Sequence, residues 1–191
     1  MKVLEKSIIL ASNSPRRSQL LEQAGFKFRV KARSIDESYP EDMAPEKVAP
    51  YLAEKKAAAV LDFLEKPSDI ILTADSVVLL NQQLYEKPKD YEDAVRILTA
   101  LSGNAHQVIT GVCLVSQEKK KVFAGVSTVY MDNLSSAEID FYIQQYKPYD
   151  KAGAYAIQEW IGLCKISKIE GTYANIMGLP VDLVYQELIN F

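Results

Sequence analysis

The sequence has few of the residues and motifs that identify common classes of enzyme. Of its 191 residues, only two are cysteine, Cys113 and Cys164, and only one is histidine, His106. Both cysteines lie in apolar, strand-like segments, so we expect reduced, buried thiols and neither a disulfide nor a metal site. No histidine and cysteine cluster has the spacing of a zinc site. No serine or cysteine motif supplies the nucleophile of a catalytic triad. We therefore expect His106 to be a structural histidine with its hydrogen bonds satisfied.

Long apolar runs and strongly charged regions are also absent. No run approaches the roughly 18 apolar residues of a membrane-spanning helix, and the apolar stretch within residues 1–11 is too short for a secretion signal. The net charge of −3 provides no general attraction to nucleic acid or anionic membrane. The P-loop and GxGxxG nucleotide-binding motifs do not occur. We therefore expect a cytoplasmic protein that binds neither nucleic acid nor membrane, in which any polyanion site is local.

The composition is that of an ordinary globular domain. Hydrophobic residues make up 48% and charged residues 25% of the chain, which is long enough to bury a sizeable core. A turn at residues 81–83 and a polar segment at 117–121 each predict a β-hairpin, which argues against a purely parallel βαβ series. Further strand-like runs lie at residues 155–158 and 163–169. The sequence predicts a mixed α/β fold in one domain, residues 1–191, with helices flanking a mixed sheet and two lobes as one option.

A strand, a turn and a helix start near the N-terminus carry two arginines. Residues 7–11 are typical of a short buried strand, Ser14 is a good N-cap and Pro15 is a good first helical residue. Arg16 and Arg17 then fall in the first turn, where the helix dipole disfavours cations. Two guanidinium groups beside free backbone amides form a strong site for an anion such as phosphate. A capped surface helix with solvated arginines explains the segment equally well.

Asp75 lies between two apolar runs, residues 70–72 and 77–80. A carboxylate between buried strands costs free energy unless it is paired or bound to a metal. An aspartate in a turn between two strands fits the same pattern. The local sequence does not decide between these interpretations.

Three other polar residues are less distinctive on their own. Lys56 begins an apolar stretch inside a helix predicted from about Pro45 to Leu64, where a lysine is usually solvated. Lys87 precedes a proline, and Gln158 ends a strand-like run from which its amide could contact a ligand. Each of the three residues fits an ordinary structural position.

Seven short motifs follow one another along nearly the whole chain. They are Leu10-Ala11-Ser12-x-Ser14-Pro15-Arg16-Arg17, Leu52-Ala53-x-x-Lys56-Ala57, Ala74-Asp75-Ser76-Val77-Val78, Lys87-Pro88, Leu101-Ser102-Gly103-x-x-His106-x-Val108-x-Thr110-Gly111, Asp150-Lys151-Ala152-Gly153-Ala154-Tyr155-x-Ile157-Gln158 and Gly171-x-Tyr173-x-Asn175-x-x-Gly178-Leu179-Pro180. Each motif alone is weakly specific, but seven in this order are hard to obtain by chance. Together they resemble the Maf family of nucleoside triphosphate pyrophosphatases.

This resemblance implies a reaction and a fold. The reaction is hydrolysis of a nucleoside triphosphate to the monophosphate and pyrophosphate with a divalent cation, magnesium or manganese. The fold is a two-lobed α/β structure like that of inosine triphosphate pyrophosphatase, with the active site in the cleft, and the chain is expected to form a homodimer. The segment at residues 153–158 is similar to that of the family branch that acts on dTTP and UTP.

The resemblance also assigns roles to five residues that would contact the phosphates. Ser12, Arg16 and Arg17 would hold the polyphosphate through charge-assisted hydrogen bonds and the helix N-terminus. Lys56 and Lys87 would neutralise the charge that develops on the phosphates. The anion-binding interpretation of the first helix agrees with these roles.

Four more residues receive roles from the resemblance. Asp75 would be the general base for the attacking water or would hold the metal that activates it. Glu37 would be a second metal carboxylate, since magnesium and manganese prefer oxygen ligands. Thr110 and Gln158 would orient the substrate or contact the base.

The sequence departs from the family pattern at four positions. Ser76 stands where threonine is usual, and Glu86, Ala156 and Glu159 stand where glycines are usual. A carboxylate beside Gln158 could repel a phosphate tail or alter the base preference. Two alternatives follow: the same reaction on a modified or other nucleotide, and a nucleotide-binding regulator of division with little turnover.

Overall fold

The computed structural model describes residues 1–191, the whole chain, and contains seven α-helices and seven strands. The helices are α1 (Pro15–Gln23), α2 (Pro45–Ala58), α3 (Tyr91–Leu101), α4 (Ser136–Tyr146), α5 (Trp160–Cys164), α6 (Tyr173–Met177) and α7 (Val181–Ile189). The strands are β1 (Ser7–Leu10), β2 (Phe28–Val30), β3 (Asp69–Leu80), β4 (Gln83–Tyr85), β5 (Ala105–Val115), β6 (Lys120–Met131) and β7 (Ile166–Glu170). Short 3₁₀ turns occur at Lys2–Glu5, Leu61–Phe63 and Ala152–Ala154. None of the helices is long and apolar enough to cross a membrane.

The strands form one mixed sheet in the order β2-β1-β3-β5-β6-β7, with β4 paired to β3. Strand β1 runs parallel to both β2 and β3, so that Ile9 pairs with Arg29 on one side and Ile71 on the other. The β3–β4 and β6–β7 pairs are antiparallel. The predicted mixed α/β class is therefore confirmed.

The chain divides into two compact units. The first unit comprises residues 1–75, 110–125 and 178–191, and the second comprises residues 76–109 and 126–177. Strands β3, β5 and β6 each contribute residues to both units.

The core of the first unit forms where α2 covers its part of the sheet. Ala53 and Ala57 on α2 pack in one cluster with Ile9 of β1, Ile71 of β3 and Cys113 of β5. Small residues on α2 let the helix backbone approach the branched side chains of the strands closely. Burial raises the pKa of the Cys113 thiol to about 12, as expected of an inert structural cysteine.

The core of the second unit is built mainly from α3 and α4. Their buried apolar faces include Ile97 and Leu98 of α3 and Ile139 and Ile143 of α4. Side chains cap the N-termini of both helices: Asp90 accepts a hydrogen bond from the Asp93 amide, and Ser135 forms a capping box with Glu138. Each capped helix presents a continuous apolar stripe to the same core.

Two strand predictions in the second unit are wrong or too long. Residues 155–158 form no strand, because Gly153 and Ala154 have left-handed φ values of 72° and 58° and turn the chain. Within the run 163–169 only the part from Ile166 onward is strand. Cys164, predicted to be buried there, ends α5 and is exposed. The apolar residues 155–157 are buried in the core as part of a turn.

Candidate functional site

Asp75 lies inside a continuous strand. Strand β3 runs without interruption through this position, so the interpretation of Asp75 as a turn residue is wrong. The residue is only 9% exposed, and its Oδ1 lies 2.5 Å from Lys56 Nζ. Asp75 is therefore a buried carboxylate whose charge is paired, which agrees with the other interpretation of the sequence.

Lys56 bridges two carboxylates. Its Nζ lies 2.7 Å from Glu37 Oε1 in addition to its contact with Asp75. The lysine side chain is 17% exposed and that of Glu37 is 44% exposed, so the pair opens toward solvent on the Glu37 side. The expectation that a lysine at this position is solvated is therefore wrong for Lys56.

The position of Lys56 depends on how α2 sits against β3 and β5. Thr73 of β3 donates its hydroxyl to the Ala53 carbonyl at 2.6 Å, one turn before Lys56. At Gly111 of β5, an added Cβ would lie 2.3 Å from the backbone nitrogen of Pro50. A glycine is therefore required where the helix backbone touches the strand. These two contacts fix the helix that carries the lysine.

The hydroxyl of Ser12 is oriented by its neighbours. Ser12 Oγ accepts hydrogen bonds from the Ser14 amide at 3.2 Å and from Arg17 Nη1 at 3.1 Å. A serine oxygen has two acceptor sites and one hydrogen, so the Ser12 hydrogen remains to be donated to another group. Ser14 occupies the N-cap of α1, but its side chain makes no capping hydrogen bond.

Arg17 joins the first helix to the C-terminal part of the first unit. Its Nε donates to the Gly178 carbonyl at 2.8 Å. Burial lowers the pKa of Arg17 from its ordinary value, and neighbouring Arg16 lowers it further, whereas Asp75 and Glu37 oppose the shift. An arginine remains protonated at neutral pH despite such shifts. Two guanidinium groups and two carboxylates of the first unit therefore interact electrostatically.

The other predicted site residues differ in their location and burial. Thr110 of β5 is fully buried in the first unit, whereas Lys87 and Gln158 belong to the second unit. Lys87 is exposed, and Gln158 has a buried Oε1 without a hydrogen-bond partner. The structure thus links Ser12 to Arg17 and joins Lys56 to Asp75 and Glu37 within the first unit. The roles of Thr110, Lys87 and Gln158 remain predictions.

His106 has a structural position in the second unit. Its Nε2 lies 2.7 Å from the Tyr155 hydroxyl, and burial lowers the pKa of the imidazole to about 4. The ring is therefore neutral at physiological pH. Its Nδ1 is buried without a hydrogen-bond partner. The prediction that both ring nitrogens are hydrogen-bonded is therefore confirmed for Nε2 only.

Glu159 is engaged in contacts that sequence analysis missed. Its Oε2 accepts a hydrogen bond from the Tyr142 hydroxyl, and its Oε1 lies 3.5 Å from the buried Nζ of Lys151. Burial, together with the bond to Glu159, raises the pKa of Tyr142 far above its ordinary value. No local pattern signals these contacts, because they join residues of separate elements. Both oxygens of the Glu159 carboxylate therefore contact other residues of the second unit.

The first unit offers two carboxylates that could hold a divalent cation. Glu37 and Asp75 converge on a single nitrogen atom, although no group of three or more histidine, cysteine, aspartate or glutamate residues forms a metal site. Magnesium in nucleotide enzymes is commonly held by one or two carboxylates together with substrate phosphates and water. The residues therefore fit a cation that arrives with a phosphate ligand and do not form a complete protein cage.

The family model and the sequence relatives point to the same family. The family model described as Maf-like protein matches residues 7–191. A Phocaeicola vulgatus protein named dTTP/UTP pyrophosphatase is 48% identical over 187 residues, covering 97% of this chain and 96% of its own. A protein of the same name from Porphyromonas gingivalis is 46% identical, covering 96% and 94%. Among solved structures, the Ham1 protein of Staphylococcus aureus is similar with a TM-score of 0.48 and 17% identity, covering 66% of this chain and 72% of that one.

Proposed function

Because the chain belongs to the Maf family, we propose that it hydrolyses dTTP and UTP to the nucleoside monophosphates and pyrophosphate. The observation that carries the proposal is the pairing of Lys56 with both Asp75 and Glu37 in the unit that also holds Ser12 and Arg17. Relatives with 41–48% identity over nearly the whole chain carry the name dTTP/UTP pyrophosphatase. The chain is accordingly a hydrolase that acts on an acid anhydride.

In this proposal the polyphosphate binds to the groups around the start of α1. The Ser12 hydrogen, left free to donate by the two bonds that its oxygen accepts, is directed to a phosphate oxygen. Arg16 in the first turn supplies charge-assisted hydrogen bonds that strengthen anion binding at a helix N-terminus. Arg17 contributes positive charge and holds Ser12. This arrangement favours a substrate with several phosphate groups.

Asp75 is the group that we propose to act on the attacking water. A carboxylate in this position can accept a proton from water or hold a divalent cation beside Glu37, and both roles favour attack on the α-phosphorus. When bound, magnesium or manganese supplies neutralisation of charge on the phosphate oxygens. Lys56 holds both carboxylates in place and can offer its ammonium group to the phosphates. Positioning and electrostatics supply most of the catalysis in such in-line displacements.

The experiment that tests this proposal measures pyrophosphate release from a panel of nucleoside triphosphates. Wild type and Asp75→Asn are compared with magnesium, with manganese and with EDTA. We expect metal-dependent release that is greatest for dTTP and UTP, and a loss of at least about 10²-fold in the variant. A preference for a purine or modified nucleotide would contradict the substrate assignment, and normal turnover by Asp75→Asn would contradict the role of the carboxylate.

The resemblance also leads us to propose a homodimer that works in the cytoplasm on free nucleotides. The net charge of −3 argues against nucleic acid as a general partner. The mass of one chain is 21.4 kDa. Light scattering after size exclusion should therefore give about twice that mass, whereas a monomeric mass would contradict the dimer.

A further inference from the structure

Gln158 lies in a tight turn whose side-chain carbonyl lacks a partner. The turn is closed by a hydrogen bond from the Glu159 amide to the Ala156 carbonyl at 3.1 Å. Gln158 Oε1 is buried and accepts no hydrogen bond. A buried carbonyl without a donor costs free energy, so this oxygen is well suited to accept an N–H group from a ligand.

One hydroxyl group holds both ends of this turn. Tyr142 of α4 is fully buried, and its oxygen accepts a hydrogen bond from the Ala156 amide at 3.0 Å. The same hydroxyl donates to the Glu159 carboxylate. A single side chain is therefore bonded to the residue two positions before Gln158 and to the residue directly after it.

Two further contacts restrict the turn. The Glu159 carboxylate is held from its other oxygen by the ammonium of Lys151, 3.5 Å away, whose side chain is only 9% exposed. On α5, a Cβ at Gly162 would lie 1.7 Å from the Ile157 carbonyl oxygen, so the helix contacts the turn backbone directly. The turn is thus fixed by hydrogen bonds on one side and by close packing on the other.

We propose that Tyr142 and Glu159 are positioning residues that hold the Gln158 carboxamide for the imide edge of a uracil or thymine base. The inference rests on the proposed function, since it concerns which nucleobase the proposed reaction accepts. Uracil and thymine carry a hydrogen on ring nitrogen N3 beside a carbonyl oxygen, and a carboxamide offers the matching acceptor and donor. The corresponding nitrogen of cytosine carries no hydrogen. A fixed carboxamide therefore favours uridine and thymidine nucleotides over cytidine nucleotides.

The test compares four variants of the full-length protein. Tyr142→Phe removes the shared hydroxyl, and Glu159→Ala removes the carboxylate that it bonds. Glu159→Gln keeps an acceptor oxygen for the Tyr142 hydroxyl and serves as the conservative rescue. Tyr146→Phe is the matched control, because Tyr146 lies on the same helix and stacks on Tyr142 with ring centroids 4.9 Å apart.

Two measurements are made on each variant. Calorimetry gives the Kd of non-hydrolysable α,β-imido UTP and of its cytidine counterpart, and steady-state pyrophosphate release from UTP gives kcat and KM. We expect Tyr142→Phe and Glu159→Ala to weaken binding of the uridine analogue about tenfold while kcat stays within about twofold. Binding of the cytidine analogue should change by less than about twofold. Glu159→Gln and Tyr146→Phe should resemble wild type.

Three results would overturn the inference. One is equal weakening for the two analogues, and another is unchanged affinity accompanied by a lower Tm, which would make the contacts purely structural. The third is a wild-type protein that binds neither analogue. If wild type binds the uridine analogue but releases no pyrophosphate from UTP, the proposed function fails, and the Kd comparison among variants still decides the role of Tyr142 and Glu159.

Discussion

The ammonium nitrogen of Lys56 lies 2.5 Å from Asp75 Oδ1 and bridges this carboxylate to that of Glu37. Replacing the lysine would leave two neighbouring carboxylates without the cation between them. Like charges held close together repel, and a phosphate ligand would then meet net negative charge. The lysine therefore governs both the arrangement of the acids and the charge that a triphosphate encounters.

Lys56→Met should lower kcat for pyrophosphate release by about 10²-fold, because it removes a cation that would stabilise developing charge on the phosphates. Lys55→Met is the matched control. Lys55 is the preceding residue on α2, and it donates instead to the Ser38 carbonyl at 2.7 Å. Steady-state kinetics on UTP should show Lys55→Met within about twofold of wild type, as is usual for surface ion pairs. Equal losses in both variants would contradict a specific role for Lys56.

Ser12→Ala should lower kcat/KM about tenfold or more, because the proposed hydrogen bond to a charged phosphate oxygen would be lost. Arg17 would also lose its acceptor at the serine oxygen. Ser14→Ala provides the control, since the Ser14 side chain makes no capping hydrogen bond. The kinetics of both variants are measured with UTP. A Ser12→Ala enzyme as active as Ser14→Ala would show that the oriented hydroxyl does not contact substrate.

Local sequence predicted those features whose interactions span only a few residues. Helix α1 begins as predicted, with Ser14 at the N-cap and Pro15 as its first residue, because residue type and adjacency determine both positions. The mixed sheet was predicted from two β-hairpin patterns, which also depend on residues close together in the sequence.

Interactions between distant residues could not be predicted in this way. Lys56 and Asp75 are both unremarkable in their own segments, and only the packing of α2 against β3 joins them. The run at residues 155–158 has the composition of a strand, yet left-handed residues before it and the Tyr142 hydroxyl make it a turn. The resemblance to the family named the candidate site residues, but only tertiary structure shows which of them touch.

Asp69→Asn should destabilise the protein by about 1–3 kcal/mol at pH 7, because the buried carboxylate accepts several hydrogen bonds. Desolvation would raise the pKa of Asp69, but hydrogen bonds from Ser7, Arg29 and the Lys66 amide outweigh it and lower that pKa. A lowered pKa in the folded state stabilises the protein above the unfolded pKa, and this contribution is lost as pH falls through the folded value. Urea unfolding at pH 7 and below pH ~4 should show the difference between wild type and variant shrinking in acid.

Asp62→Asn is the control for this experiment. Asp62 pairs with Arg33 in a similar two-pronged contact but is 60% exposed. Exposed pairs contribute little to the free energy of unfolding. A loss in Asp62→Asn as large as that in Asp69→Asn would mean that burial of the Asp69 carboxylate is not the cause.

Protonation of His106 should lower the free energy of unfolding at a higher pH than protonation of Asp69 does. Burial lowers the pKa of its imidazole from 6.5 to about 4, so between these values the unfolded chain binds a proton that the folded protein does not. Stability therefore falls as pH decreases through this window, by about 1.5 kcal/mol between pH 6.5 and pH 5. In His106→Gln no imidazole titrates, and that part of the decrease should disappear. Urea unfolding at intervals of half a pH unit measures it, and an equal decrease in wild type and His106→Gln would show that another group titrates there.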